Sequence, residues 1–146
     1  MKPLLIASIA IASFFTKANA APGPKDVPPM VLQSFKSAFN EAKAISWSSA
    51  TNLYKAEFVV NEQYLTAFYN TANELVALTR NLASTQLPVA LQTTLKKDYS
   101  NYWISDLFEV ASEEGTSYYV TLETADTKVV LKSNLSTWTT YQKSKK

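Results

Sequence analysis

The chain has 146 residues, 14 Lys and Arg against 12 Asp and Glu, 47% apolar and 12% aromatic residues, no His, no Cys and only two Gly. Zero His removes the usual general base near neutral pH and the Ser-His-Asp triad, and zero Cys removes thiol catalysis and thiolate zinc sites. Two Gly cannot supply a phosphate-cradling loop or a dinucleotide fingerprint.

The first twenty residues read as an export signal. Lys2 is the positive end, Leu4 to Phe15 is an apolar run broken only by Ser8 and Ser13, and Ala18-Asn19-Ala20 is the small-x-small cleavage pattern. The run is shorter than the ~20 residues a spanning helix needs, and no later stretch approaches that length, so no membrane span is expected. Lys2 and Lys17 belong to this signal; without them the basic residues number 12 and equal the acidic ones. That balance gives no footprint for a nucleic-acid partner, which needs clustered Lys and Arg. The expected address is periplasmic or secreted.

Residues 21–27 form a flexible leader rich in Pro. Pro28 and Pro29 then suit the first turn of a helix, where a missing N–H costs nothing. Val31, Phe35, Ala38, Phe39 and Ala42 share one helical face, with Gln33, Lys36, Asn40 and Lys43 on the other. A short strand is expected around Trp47. Leu53 to Val60 alternates, with Tyr54, Ala56, Phe58 and Val60 on one side. Asn61-Glu62 is a two-residue turn, Tyr64 to Tyr69 the returning strand, and Leu75 to Thr79 a fourth.

After a link over Arg80 to Gln86, the pattern restarts. Pro88-Val89-Ala90-Leu91 follows Pro29-Met30-Val31-Leu32 by 59 residues and opens a second helix ending near Tyr99. Strands follow at Trp103 to Val110, around Tyr118 to Glu123, around Lys128 to Lys132 and at Thr137 to Tyr141. Gly115 lies in the turn after Val110 and is the natural place for a positive φ. The fold class expected is α+β: a tandem repeat of one helix plus about four antiparallel strands, with the helices on one face of the sheet. The first repeat spans 28–80 and the second 87–142. The turns are too short for parallel crossovers.

The residues left for chemistry are carboxylates and aromatics. Glu57 and Glu62 flank one turn, and Glu109, Glu113 and Glu114 crowd another, but a glycosidase needs two acids facing across a cleft. Solvated turn acids are the plainer reading, and no catalytic residue, metal site or cofactor is assigned. Most of Phe35, Phe39, Phe58, Phe68 and Phe108 belong in a core. Tyr69, Tyr119 and Trp138 are the candidates for an open sheet face that binds a partner. A one-residue slip in register would reverse that placement. Asn134-Leu135-Ser136 matches the N-glycosylation tripeptide.

The signal peptide, the Pro-led helix before Trp47, the strand Tyr54-Lys55-Ala56-Glu57-Phe58, and Leu87-Pro88 opening a helix that ends at Lys97-Asp98-Tyr99 together resemble the PepSY-like family. These are small exported bacterial proteins, many from Bacteroidetes, similar to the beta-lactamase inhibitory protein. The resemblance covers roughly Val27 to Tyr141. It implies a tandem α+β fold and an exported, non-enzymatic role in binding or inhibiting another protein. The chain carries Asn70-Thr71-Ala72-Asn73 and Ser133-Asn134-Leu135-Ser136 where the family commonly has Asp-Gly turns. The functional expectation is therefore a binding module for an unidentified protein or peptide. The alternatives are a structural or self-associating cell-envelope component and, behind it, a carboxylate-dependent glycan hydrolase. The oligomeric state is left open.

Overall fold

A computed structural model describes residues 26–134 and 136–146. The signal peptide, most of the leader and the central residue of the glycosylation tripeptide lie outside the described residues. The elements run α1 (Pro29–Ala38), β1 (Lys43–Ala50), β2 (Leu53–Val60), β3 (Gln63–Asn70), β4 (Leu75–Asn81), a 3-10 turn (Ser84–Gln86), α2 (Val89–Asp98), β5 (Trp103–Ser112), β6 (Gly115–Glu123), β7 (Thr127–Asn134) and β8 (Thr137–Lys145).

The expected tandem repeat of helix-plus-four-strand units is corrected. The eight strands form one antiparallel sheet in the order β1 to β8, accompanied by two helices. What overturns the repeat reading is the β4–β5 ladder, in which Ala77 to Asn81 pair with Ser112 to Phe108. Two separate four-stranded sheets would leave four strand edges open to water or to aggregation, whereas this ladder leaves two.

Both helices begin just after proline, which cannot donate a backbone hydrogen bond and so costs nothing in a first turn. α1 is shorter than its apolar pattern predicted. It stops at Ala38, Phe39 caps it with φ −128°, and Ala42 reaches the core from the following loop. Register places both helices over the same side of the sheet. Phe58 lies opposite Leu65, Ala67 opposite Leu78, Arg80 opposite Glu109, Leu107 opposite Val120, and Val120 opposite Leu131. Under α1, Val31 and Phe35 meet Trp47, Ala56, Phe58, Ala67 and Tyr69. The Phe35 ring sits edge-on to Trp47 at 5.2 Å and to Phe58 at 4.9 Å. Under α2, Leu91 and Leu95 meet Leu107, Val120, Leu122, Val129 and Leu131.

Between these two clusters, still on the helix side, Arg80 forks onto Glu109. Its Nε donates to Oε1 at 3.0 Å and its NH2 to Oε2 at 3.2 Å. That bidentate bond raises the Arg80 pKa further, and burial beside Glu109 pushes the Tyr118 hydroxyl up. The sheet side that carries no helix holds a third cluster: Phe68, Ala77, Phe108, Val110, Tyr119 and Val130. It draws on β3 through β7, so it spans the territory of both helices. Bulges in β1, β5 and β8, and at the β3–β4 pairing, interrupt the ladders, and each such break bends its strand.

Candidate functional site

The side of the sheet without helices is the candidate site. Its floor is the third cluster, with Phe108 stacked on Tyr119 at 5.3 Å and 7° between ring planes. Tyr141 meets the Tyr119 ring edge-on at 5.5 Å, and the Lys132 ammonium lies 5.6 Å from the same ring. These contacts leave Tyr119 only 6% exposed.

Around this floor stand three aromatic side chains that remain in water. Tyr64 is 71% exposed, Trp103 52% and Tyr141 41%. Each reaches this side by register. Tyr64 lies opposite Val59, Trp103 opposite Glu123, and Tyr141 occupies the bulge between the Val130 and Leu131 pairings. Each such ring can bury on the order of 150–250 Å² against a partner, and several of them on one side of a sheet suit recognition. Beside Tyr64 a groove of about 500 Å³ is lined by Glu57, Val59, Thr66 and Asn81 among others.

Charged groups rim the same side. Lys55 pairs with Glu57 at 3.2 Å. Lys146 pairs with Glu123 at 3.0 Å and also lies over the Trp103 ring at 4.8 Å. The Ser105 hydroxyl first, and Lys146 second, hold the Glu123 carboxyl below its ordinary range. Asp106 accepts a bond from Asn81 Nδ2 at 3.3 Å, and burial raises its pKa. The surface thus has an aromatic and apolar centre, a mixed-charge border, and no large excess of either sign. Such a surface can bury area and exchange hydrogen bonds, as recognition requires.

The three residues expected on the open face divide. Tyr69 lies on the helix side, 1% exposed under α1, 6.3 Å from the Trp47 ring. Trp138 also faces the helices, and its indole N–H donates to the Leu91 carbonyl at 3.1 Å, tying β8 to α2. Tyr119 is on the helix-free side, but as part of the floor. Two placements therefore reverse the expectation, and the cause is register. The Asn61-Glu62 hairpin closes on Val60 and Gln63, which sets Tyr69 opposite Tyr54 on the core side. Counting across that turn also places Tyr64 opposite Val59, away from the helices, so the signal for Tyr64 was present in the sequence. Tyr141 had no such signal, because a bulge cannot be counted from alternation.

No family model matches the chain, and no curated protein matches it. Solved structures do. A BLIP-like protein from Bacteroides fragilis superposes with a TM-score of 0.66 at 20% identity, covering 82% of this chain and 87% of that one. The fold is BLIP-like. A DUF2874 family protein from Bacteroides uniformis gives 0.72 at 16% identity, covering 82% and 89%. A candidate periplasmic protein from Bacteroides eggerthii gives 0.73 at 16%, covering 82% and 88%. The resemblance read from the sequence is thus supported in its BLIP-like part at the level of fold, while none of these three structures is described as PepSY-like. At these identities a shared BLIP-like fold transfers no residue roles.

Proposed function

We propose that this protein is an exported, non-enzymatic binding module that recognises a protein or a peptide through the helix-free side of its sheet. The observation that carries the reading is the trio Tyr64, Trp103 and Tyr141, left in water around a packed aromatic floor. Exposed aromatics of this kind supply binding energy at small entropic cost. Support for the address comes from the export-signal pattern in the sequence and from the solved neighbour described as a candidate periplasmic protein. The BLIP-like neighbour supports a binding role by its fold alone. Among the described residues no helix is long and apolar enough to cross a membrane.

The test compares the chain with a variant carrying Tyr64→Ala, Trp103→Ala and Tyr141→Ala as baits on periplasmic extract of the source cell. Tyr64 and Trp103 are more than half exposed and Tyr141 is 41% exposed, so the variant should fold at a modest cost in stability. A partner enriched by the unaltered chain and lost with the variant is the expected result. Recovery of the same partners by both baits, or of none by either, would remove the reading.

A further inference from the structure

The sheet has two edges, and they are built differently. β8 carries Lys143 and Lys145 along its last residues, with Lys146 just beyond its end, a device that discourages strand addition. β1 carries Lys43 at its start and no charge from Ala44 through Ala50. The β1–β2 hairpin closes on the Ala50–Leu53 pair across Thr51 and Asn52. In a two-residue hairpin that closing pair exchanges both its hydrogen bonds, and the bonded residues then alternate. Ala50, Ser48 and Ser46 therefore direct their N–H and C=O groups at β2. Trp47 and Ser49 direct theirs outward, and no backbone hydrogen bond between the described residues outside the strand ladders involves either. Between them sits Ser48, whose Oγ is buried and has no hydrogen-bond partner. The leader is a poor candidate for filling this edge in cis, because Pro22 and Pro24 lack the N–H groups that a ladder needs.

We propose that a second copy of this chain pairs with β1, antiparallel, about a two-fold axis through Ser48. In that register Trp47 lies opposite Ser49 of the second copy, and Ser49 opposite its Trp47. Both outward-facing residues of each copy then find bonding partners. Ser48 falls opposite its own equivalent at a non-hydrogen-bonded position, where Cβ atoms approach to about 4.5–5.5 Å. A turn about χ1 lets the two hydroxyls bond, which satisfies the unpartnered Oγ. The pairing stretch carries no charge, so no like charges meet on the axis. The contact is self-complementary, as a two-fold interface must be, and it closes at two copies. It is smaller than the ~1,600 Å² of a standard interface, so the dimer is weak and depends on concentration. It uses the sheet edge and leaves the helix-free side available, so it stands independently of the proposed partner surface.

The chain has no Cys, so one introduced thiol reports on one place. Ser48→Cys, mildly oxidised, should form a covalent dimer about ten-fold or more faster than Thr140→Cys on exposed β8, because pairing raises the local thiol concentration. Equal rates would overturn the proposal. In sedimentation equilibrium the unaltered chain should rise with concentration from one-chain to two-chain mass and stop there. Ser48→Glu lies beside Lys55 within its own chain, so it should fold, yet it sets two carboxylates against each other on the axis and should remain monomeric. Mixing it with Ser48→Lys should restore the two-chain mass. A monomer at every concentration, growth past two chains (the mark of β1 pairing head-to-tail with β8), or no recovery on mixing would each overturn it.

Discussion

Two residues show how burial and bonding disagree locally. Tyr69 is enclosed under α1, and its hydroxyl finds no acceptor; burial accordingly raises its pKa. An unbonded buried hydroxyl costs about 1–3 kcal/mol. Tyr69→Phe should therefore leave the melting temperature unchanged or raise it, and calorimetry will show which. A clear fall would mean that an internal water holds the hydroxyl. Asp106 makes the second case. Burial raises its folded pKa above the ordinary 3.8, with the Leu107 backbone N–H first and Lys128 second opposing the shift. The protonated form is favoured in the fold, so this contribution to stability is complete below 3.8 and is lost as pH rises through the folded value. At neutral pH the buried charge is a liability. Asp106→Asn keeps an acceptor for Asn81 and should be more stable than the parent at pH 7, the gap closing as denaturation is repeated toward pH 4. A gap that widened on acidification would mean that the Leu107 N–H and Lys128 together outweigh burial.

At the scale of elements, the turns are where sequence and structure meet most closely. Asn61 and Glu62 both adopt positive φ, 49° and 64°, in the two-residue hairpin the sequence announced. Two positive-φ residues match the right-handed twist of the flanking strands, but a Glu there is strained by roughly 1 kcal/mol where Gly would not be. Glu62→Gly should raise stability by up to about 1 kcal/mol in urea titration, and a loss would place Glu62 in a contact that outweighs its strain. The strands were legible because alternation and turn residues agree at β2, β3 and β6. The end of α1 was not, because Phe39 and Ala42 keep the apolar phase while leaving the helix. Phe39 packs on Phe58 at 4.8 Å from outside the helical geometry, so the core and not the period decides where α1 stops. β8 likewise runs to Lys145, past the Tyr141 its composition indicated, because Thr127 to Val129 offer a ladder to pair with.

For the whole molecule, the sequence left open whether the strands join in one sheet or in two abutting ones, and the β4–β5 ladder decides for one. Strand partners far apart in the chain leave no local pattern; Arg80 and Glu109 are ordinary charged residues until the β4–β5 ladder sets them side by side. The site shared this fate, since facing depends on register and register depends on turns and bulges. The joined sheet makes a prediction of its own. The α1 and α2 clusters lie on one side without a common centre, while the third cluster runs beneath both, with Phe108 in the middle of it. If that layer couples the two territories, the unaltered chain unfolds in one transition seen alike by Trp fluorescence, which reports Trp47 near α1, Trp138 near α2 and the exposed Trp103, and by far-ultraviolet dichroism. Phe108→Ala removes a ring stacked on Tyr119 and should cost about 3–5 kcal/mol. The loss should come with a broader transition in which the two probes part, because a cavity there weakens the layer common to both helices. Coincident, equally steep curves in the variant would mean that the β4–β5 hydrogen bonds alone transmit the coupling.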